Sequence, residues 1–83
     1  MINDERIRQI ILSHLSAEFV RVESPDQVHF SAIIVSSQFE GLSLVKRQQA
    51  IYAALIEEIR SGAVHALSLK TYTPQEWENQ QNQ

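Results

Sequence analysis

The chain has 83 residues, 43% of them apolar, no cysteine and a formal net charge of −3. That length makes one domain burying about 60–65% of its unfolded surface, with a stability of about 4–12 kcal/mol. The missing thiols exclude disulfides, thiol catalysis and any zinc or iron–sulfur site built from this chain's own thiolates, and the negative charge gives no general attraction to nucleic acid.

No apolar run is long enough to span a membrane. The opening Met1-Ile2-Asn3-Asp4-Glu5-Arg6 lacks the basic start and apolar core of a signal peptide. A cytoplasmic protein with no membrane association is expected.

Asn3 is placed to cap a first helix, with Asp4 and Glu5 in the opening turn where the helix dipole favours acid. Ile7, Ile10, Ile11 and Leu15 then fall on one helical stripe, with His14 at its edge. From Phe19 to Glu23 the period changes to two, with Val20 and Val22 on one face. Ser24-Pro25-Asp26-Gln27 has turn chemistry: Pro presets φ, and Asp26 can bond its own backbone. A longer strand runs from Val28 to Ser36, with Val28, Phe30, Ala32 and Ile34 on one face and His29, Ser31, Ile33 and Val35 on the other. Two strands and a short loop predict an antiparallel hairpin.

Phe39-Glu40-Gly41 ends this section, and Ser43 is a candidate N-cap for the next helical stretch. Leu44, Val45, Ile51, Tyr52, Leu55, Ile56 and Ile59 mark an apolar helical face that Gln48 interrupts. The interruption predicts a short helix and a longer one, or a single kinked one. Ser61-Gly62 closes this region, Gly62 in the left-handed position after the helix.

Val64 to Tyr72 reads as a third strand, Leu67 and Leu69 alternating with Ala66, Ser68 and Lys70; His65 shares the parity of the leucines. Thr73, Pro74 and Glu76 make a capping box with Pro at the first helical position, opening a short helix to about Glu78 that carries Trp77 as a core lid. Asn79 to Gln83 is expected to be a fraying tail, so the domain is 1–78.

An amphipathic helix must bury its stripe, and a three-stranded sheet with one apolar face is the surface available. The fold predicted is α+β, a two-layer sandwich with helices on one face of the sheet, in the order α-β-β-α-α-β.

Catalytic signatures are missing. Gly41 and Gly62 are the only glycines, too few for a phosphate-binding loop. The serines and acids lack a nucleophile-elbow context. His14, His29 and His65 fit no zinc spacing. A protein that is not an enzyme is expected.

The segment Phe39-Glu40-Gly41-Leu42-Ser43-Leu44-Val45-Lys46-Arg47, the later Val64-His65-Ala66-Leu67-Ser68-Leu69-Lys70, and Tyr72-Thr73-Pro74-Gln75-Glu76-Trp77 together resemble the BolA family. The resemblance runs from Glu5 to Trp77. The family's fold, related to the second type of KH domain, agrees with the order read from pattern. Where many members carry Arg-His, this chain has Arg47-Gln48-Gln49, which with Tyr52 is more similar to the IbaG branch.

The resemblance implies a partner, a monothiol glutaredoxin of the Cys-Gly-Phe-Ser type, and a [2Fe–2S] cluster shared with it and glutathione. The isolated chain would hold no cluster and be a monomer or weak homodimer. By resemblance His65 is a cluster ligand. His29 is the second candidate, provided its side chain points to the same rim. Imidazole can replace thiolate on one iron, as in Rieske centres.

Phe39, Gly41, Lys46, Arg47 and Lys70 are the implied partner-facing residues. An alternative is a DNA-binding regulator in which Leu44 to Ile59 acts as a helix-turn-helix-like unit and Lys46 and Arg47 contact phosphate. A metal-free structural adaptor is a third reading.

Overall fold

The computed structural model describes residues 2–82. The first helix, α1 (Asp4–His14), starts where Asn3 Oδ1 accepts from the Arg6 amide at 2.9 Å and buries Ile7, Ile10 and Ile11. Strands β1 (Phe19–Glu23) and β2 (His29–Val35) form the expected antiparallel hairpin, with Phe19 opposite Val35 and Glu23 opposite Ser31. Ser36 leaves the strand to cap a single 3-10 turn, Ser37–Phe39, and is itself fully buried. Its hydroxyl donates to the Ser16 carbonyl at 2.6 Å.

Helices α2 (Leu44–Ala54) and α3 (Ile56–Arg60) form the crossover to β3 (Ala66–Tyr72), which pairs parallel to β2 in the sheet order β1-β2-β3. A parallel pair needs a connection of at least a dozen residues, and the two helices supply it. Gly41 and Gly62, with φ of 79° and 80°, occupy left-handed turns at the two ends of this crossover. Nothing crowds a Cβ at either position, so backbone conformation and not space selects glycine there.

The predicted alternation holds where it matters for the core. Val20, Val22, Phe30, Ala32 and Ile34 turn inward and pack with Ile7, Ile10, Ile11, Ile51 and Leu55 under α1–α3. Each fully buried Ile, Leu or Phe contributes about 1.5–3 kcal/mol.

Three local expectations need correcting. The helix break falls at Leu55, a fully buried residue whose amide is shared between the Ile51 and Tyr52 carbonyls, and not at Gln48, which is exposed and interrupts nothing. The buried positions of α2 are Arg47, Ile51 and Ala54, so Leu44, Val45 and Tyr52 face outward. Helix α4 (Pro74–Gln81) continues past Glu78 into the stretch expected to fray, of which Gln83 lies outside the described residues. Its extra turn is held by Gln75 Nε2 donating to Asn79 Oδ1 at 3.2 Å and by the Asn82 amide donating to the Glu78 carbonyl.

The capping box of α4 forms as expected, both of its hydrogen bonds present. Trp77 then stacks on Phe19 with ring centroids 5.5 Å apart and meets Tyr72 at 5.2 Å. Phe19 and Tyr72 flank Val35 across the sheet. The aromatic cluster therefore lies on the face away from α1–α3, which accounts for Val35 being 1% exposed.

Candidate functional site

The two ends of the sheet carry the two groups of candidate residues. At the end where β2 and β3 begin, His29 lies opposite Ala66, and the His65 amide donates to the Val28 carbonyl at 3.4 Å. The histidines thus stand on adjacent strand ends at offset positions, His29 opposite Ala66 and His65 beside Val28. The chain bends at His65, one residue ahead of β3, so the alternation that carries Leu67 and Leu69 toward the core stops short of it. Its ring is exposed, and among the described residues it makes no side-chain hydrogen bond.

His29 is held by its own turn. Asp26 Oδ1 accepts from the amides of Val28 at 3.0 Å and His29 at 2.8 Å, and Asp26 Oδ2 lies 2.6 Å from His29 Nδ1. Ser24 Oγ donates to the His29 carbonyl at 2.8 Å. The His29 amide first, then its imidazole and the Val28 amide, hold the Asp26 carboxyl far below the usual carboxylate range. The loop closes through Gln27 at a φ of 62°, a left-handed conformation that is uncommon outside glycine. The ability of Asp26 to bond its own backbone was legible in the sequence. Its second oxygen reaching the His29 ring was not, though the Asp-x-x-His spacing within a turn is the signal that could have found it.

Among the described residues, no group of three or more His, Asp or Glu side chains stands together that could hold a metal ion. His29 and His65 both carry exposed side chains at this end of the sheet.

The other end of the sheet holds Phe39, Gly41 and the start of α2, and here the expectation of a partner-facing surface needs correction. Phe39 is 1% exposed and belongs to the core. Arg47 is 6% exposed, because it occupies a core-facing position of α2. Its guanidinium donates to both Glu76 oxygens, at 2.7 and 3.3 Å, to the Leu42 carbonyl and to the Thr71 carbonyl, and it lies over the Phe39 ring. This hydrogen-bonded network ties α2, β3 and α4 together, so Arg47 has no free edge for phosphate.

Arg47 first, then the Thr73 amide, holds the Glu76 carboxyl below its ordinary range. The role of Glu76 toward Arg47 was missed, because a capping-box glutamate already has a local explanation.

Lys46 and Gly41 are exposed. Lys70 is also exposed, on the sheet face with Arg21, Ser31 and Ser68 lining a shallow hollow. The two regions are separated by the length of β3, about 20 Å for seven residues. His65 lies just ahead of the start of β3, and Arg47 meets Thr71 near its end. Leu44 and Val45, 63% and 62% exposed, are the apolar residues that this end presents instead.

A three-stranded mixed sheet under α1–α3, with α4 latched across its end, defines a BolA-like domain, and the chain belongs to the BolA family: the family model described as "BolA-like protein" matches residues 7–76. Within it the similarity is to the IbaG branch. The chain is 44% identical over 77 residues to the "Acid stress protein IbaG" of Escherichia coli strain K12, covering 93% of this chain and 89% of that protein.

Among solved structures, the fold superposes on a Bol-like protein from Babesia bovis with a TM-score of 0.85 at 34% identity, covering 98% of this chain and 95% of that one. The BolA domain of SufE1 from Arabidopsis thaliana superposes with a TM-score of 0.82 at 36% identity, covering 92% and 99%. Among the described residues, no helix is long and apolar enough to cross a membrane.

Proposed function

We propose that the protein is a non-enzymatic iron–sulfur handling protein that offers His65, with His29 beside it, as imidazole ligands to a [2Fe–2S] cluster shared with a monothiol glutaredoxin of the Cys-Gly-Phe-Ser type and glutathione. Its role is cluster trafficking or iron sensing. The observation that supports this most is the pair of exposed imidazoles on adjacent strand ends.

Two irons bridged by two sulfides need four external ligands, and a chain without cysteine can contribute only part of that set. The cluster is cargo that a partner brings with its own thiolates. Imidazole ligation lowers the negative charge at the cluster and makes its retention sensitive to protons. A proton-sensitive cargo site suits a member of the branch whose relative is named an acid stress protein.

Of the two cations in the nucleic-acid reading, Arg47 is held inside by Glu76, and the net charge of −3 opposes binding to a polyanion. The cluster reading is preferred.

The test mixes this protein with cluster-loaded Cys-Gly-Phe-Ser glutaredoxin and records visible absorption and circular dichroism. Wild type changes the cluster spectrum and forms a heterocomplex, and His65→Ala abolishes the change. An unchanged spectrum with no complex would overturn the proposal.

A further inference from the structure

We infer that Asp26 is a positioning residue for His29, fixing its ring so that Nε2 is the atom offered to iron; the inference rests on the proposed cluster function and deepens it. The Asp26 carboxylate is anchored by two backbone amides on Oδ1, which leaves Oδ2 directed at His29 Nδ1, 2.6 Å away. A carboxylate only accepts, so Nδ1 carries the hydrogen and the Nε2 lone pair is left free. An imidazole free in water keeps its hydrogen mainly on Nε2, the wrong atom for a ligand presented this way. Metal-bound histidines characteristically donate their second ring N–H to a carboxylate or carbonyl, which fixes both tautomer and orientation. Here that partner is in place within the chain itself.

A purely structural role accounts poorly for the second oxygen. The turn is closed by Oδ1, by Ser24 Oγ on the His29 carbonyl and by Gln27 in its left-handed conformation. The side chains of His29 and Asp26 are 66% and 49% exposed, and exposed pairs add little to stability. The contact acts on the ring's orientation, and it makes His29 a pre-set ligand where His65 is an unconstrained one.

Asp26→Asn separates these roles. The amide oxygen keeps the two backbone hydrogen bonds, while its NH2 donates to Nδ1 and forces the hydrogen to Nε2. In the isolated protein at about pH 8.5, above the ordinary imidazole range, nitrogen NMR of His29 shows the Nδ1–H tautomer in wild type and Nε2–H in Asp26→Asn, with an unchanged melting temperature. In the glutaredoxin heterocomplex, Asp26→Asn and His29→Ala each release the cluster about 10-fold faster than wild type, in line with losses on removing such outer partners.

An Nε2–H tautomer in wild type, or the same tautomer in both proteins, would overturn the inference. So would a cluster spectrum that needs His65 but is indifferent to His29→Ala and Asp26→Asn, and that outcome would leave the cluster reading standing. A wild type that takes up no cluster would overturn the cluster reading and, with it, the offer of Nε2 to iron; the NMR comparison would then show separately whether Asp26 sets the ring.

Discussion

Replacing Arg47 by alanine lowers the free energy of unfolding by about 2–4 kcal/mol, seen as a fall in melting temperature of about 4–8 °C per kcal/mol. The substitution leaves the Leu42 and Thr71 carbonyls without their donor and opens a void against Phe39. It also frees Glu76 from the guanidinium that connects α4 to α2. The range lies below the full cost of breaking a buried ion pair because the Glu76 side chain is 47% exposed against 7% for Arg47, so water stabilises the abandoned carboxylate.

The double variant Arg47→Ala/Glu76→Gln loses less than the sum of the single ones, since the two groups act as a coupled pair. Trp77 is the only tryptophan and sits on α4, so its fluorescence reports whether that helix has loosened from Phe19 and Tyr72. A change in stability within about 0.5 kcal/mol would show the buried guanidinium to be a bystander.

The same pair sets an acid limit. Arg47, and after it the Thr73 amide, lowers the Glu76 pKa in the folded state from its ordinary 4.5. Stability from a depressed carboxylate is complete above the unfolded-state pKa and is lost as pH falls through the lower folded-state value. Titrating wild type downward from about pH 5 therefore weakens the hold on α4, and Arg47→Ala removes that part of the acid dependence. Equal acid profiles for the two proteins would place the limit elsewhere, Asp26 being the next carboxylate to test.

Phe30→Ala costs about 3–5 kcal/mol, a large share of the total of about 4–12 kcal/mol expected for this length. Phe30 is 2% exposed on the central strand, opposite Leu67 of β3 and beneath the α1–α3 layer. Its neighbours are held by the sheet and cannot collapse into the space. Ser31→Ala, one residue along on the open face, changes stability by no more than about 0.5 kcal/mol. Chemical denaturation of the three proteins measures both values. A Phe30→Ala cost near that of Ser31→Ala would mean that the core tolerates the void and that the strand parity carries little of the stability.

What the sequence determined by itself is what short-range chemistry controls. Asn3, Ser43 and Thr73 cap the helices predicted for them, and Gly62 turns the chain after α3. The period of two in Val20–Val22 and Phe30–Ile34 places the inner face correctly, because a one-residue slip would expose every apolar side chain at once.

Only the tertiary structure decided the phase of α2. Two overlapping stripes are available there, Leu44–Gln48–Tyr52 and Arg47–Ile51–Leu55, rotated by about 60° from each other at 3.6 residues per turn. Each stripe carries one polar residue, Gln48 in the first and Arg47 in the second, and packing selects the second. It does so because Glu76, distant in sequence, and the carbonyls of Leu42 and Thr71 satisfy a guanidinium that would otherwise be too costly to bury. The same long-range pairing put His29 and His65 on adjacent strand ends and the Phe39–Arg47 segment at the far end of the sheet. Local propensity pairs β1 with β2 through their short loop but carries no information on where β3 joins the sheet.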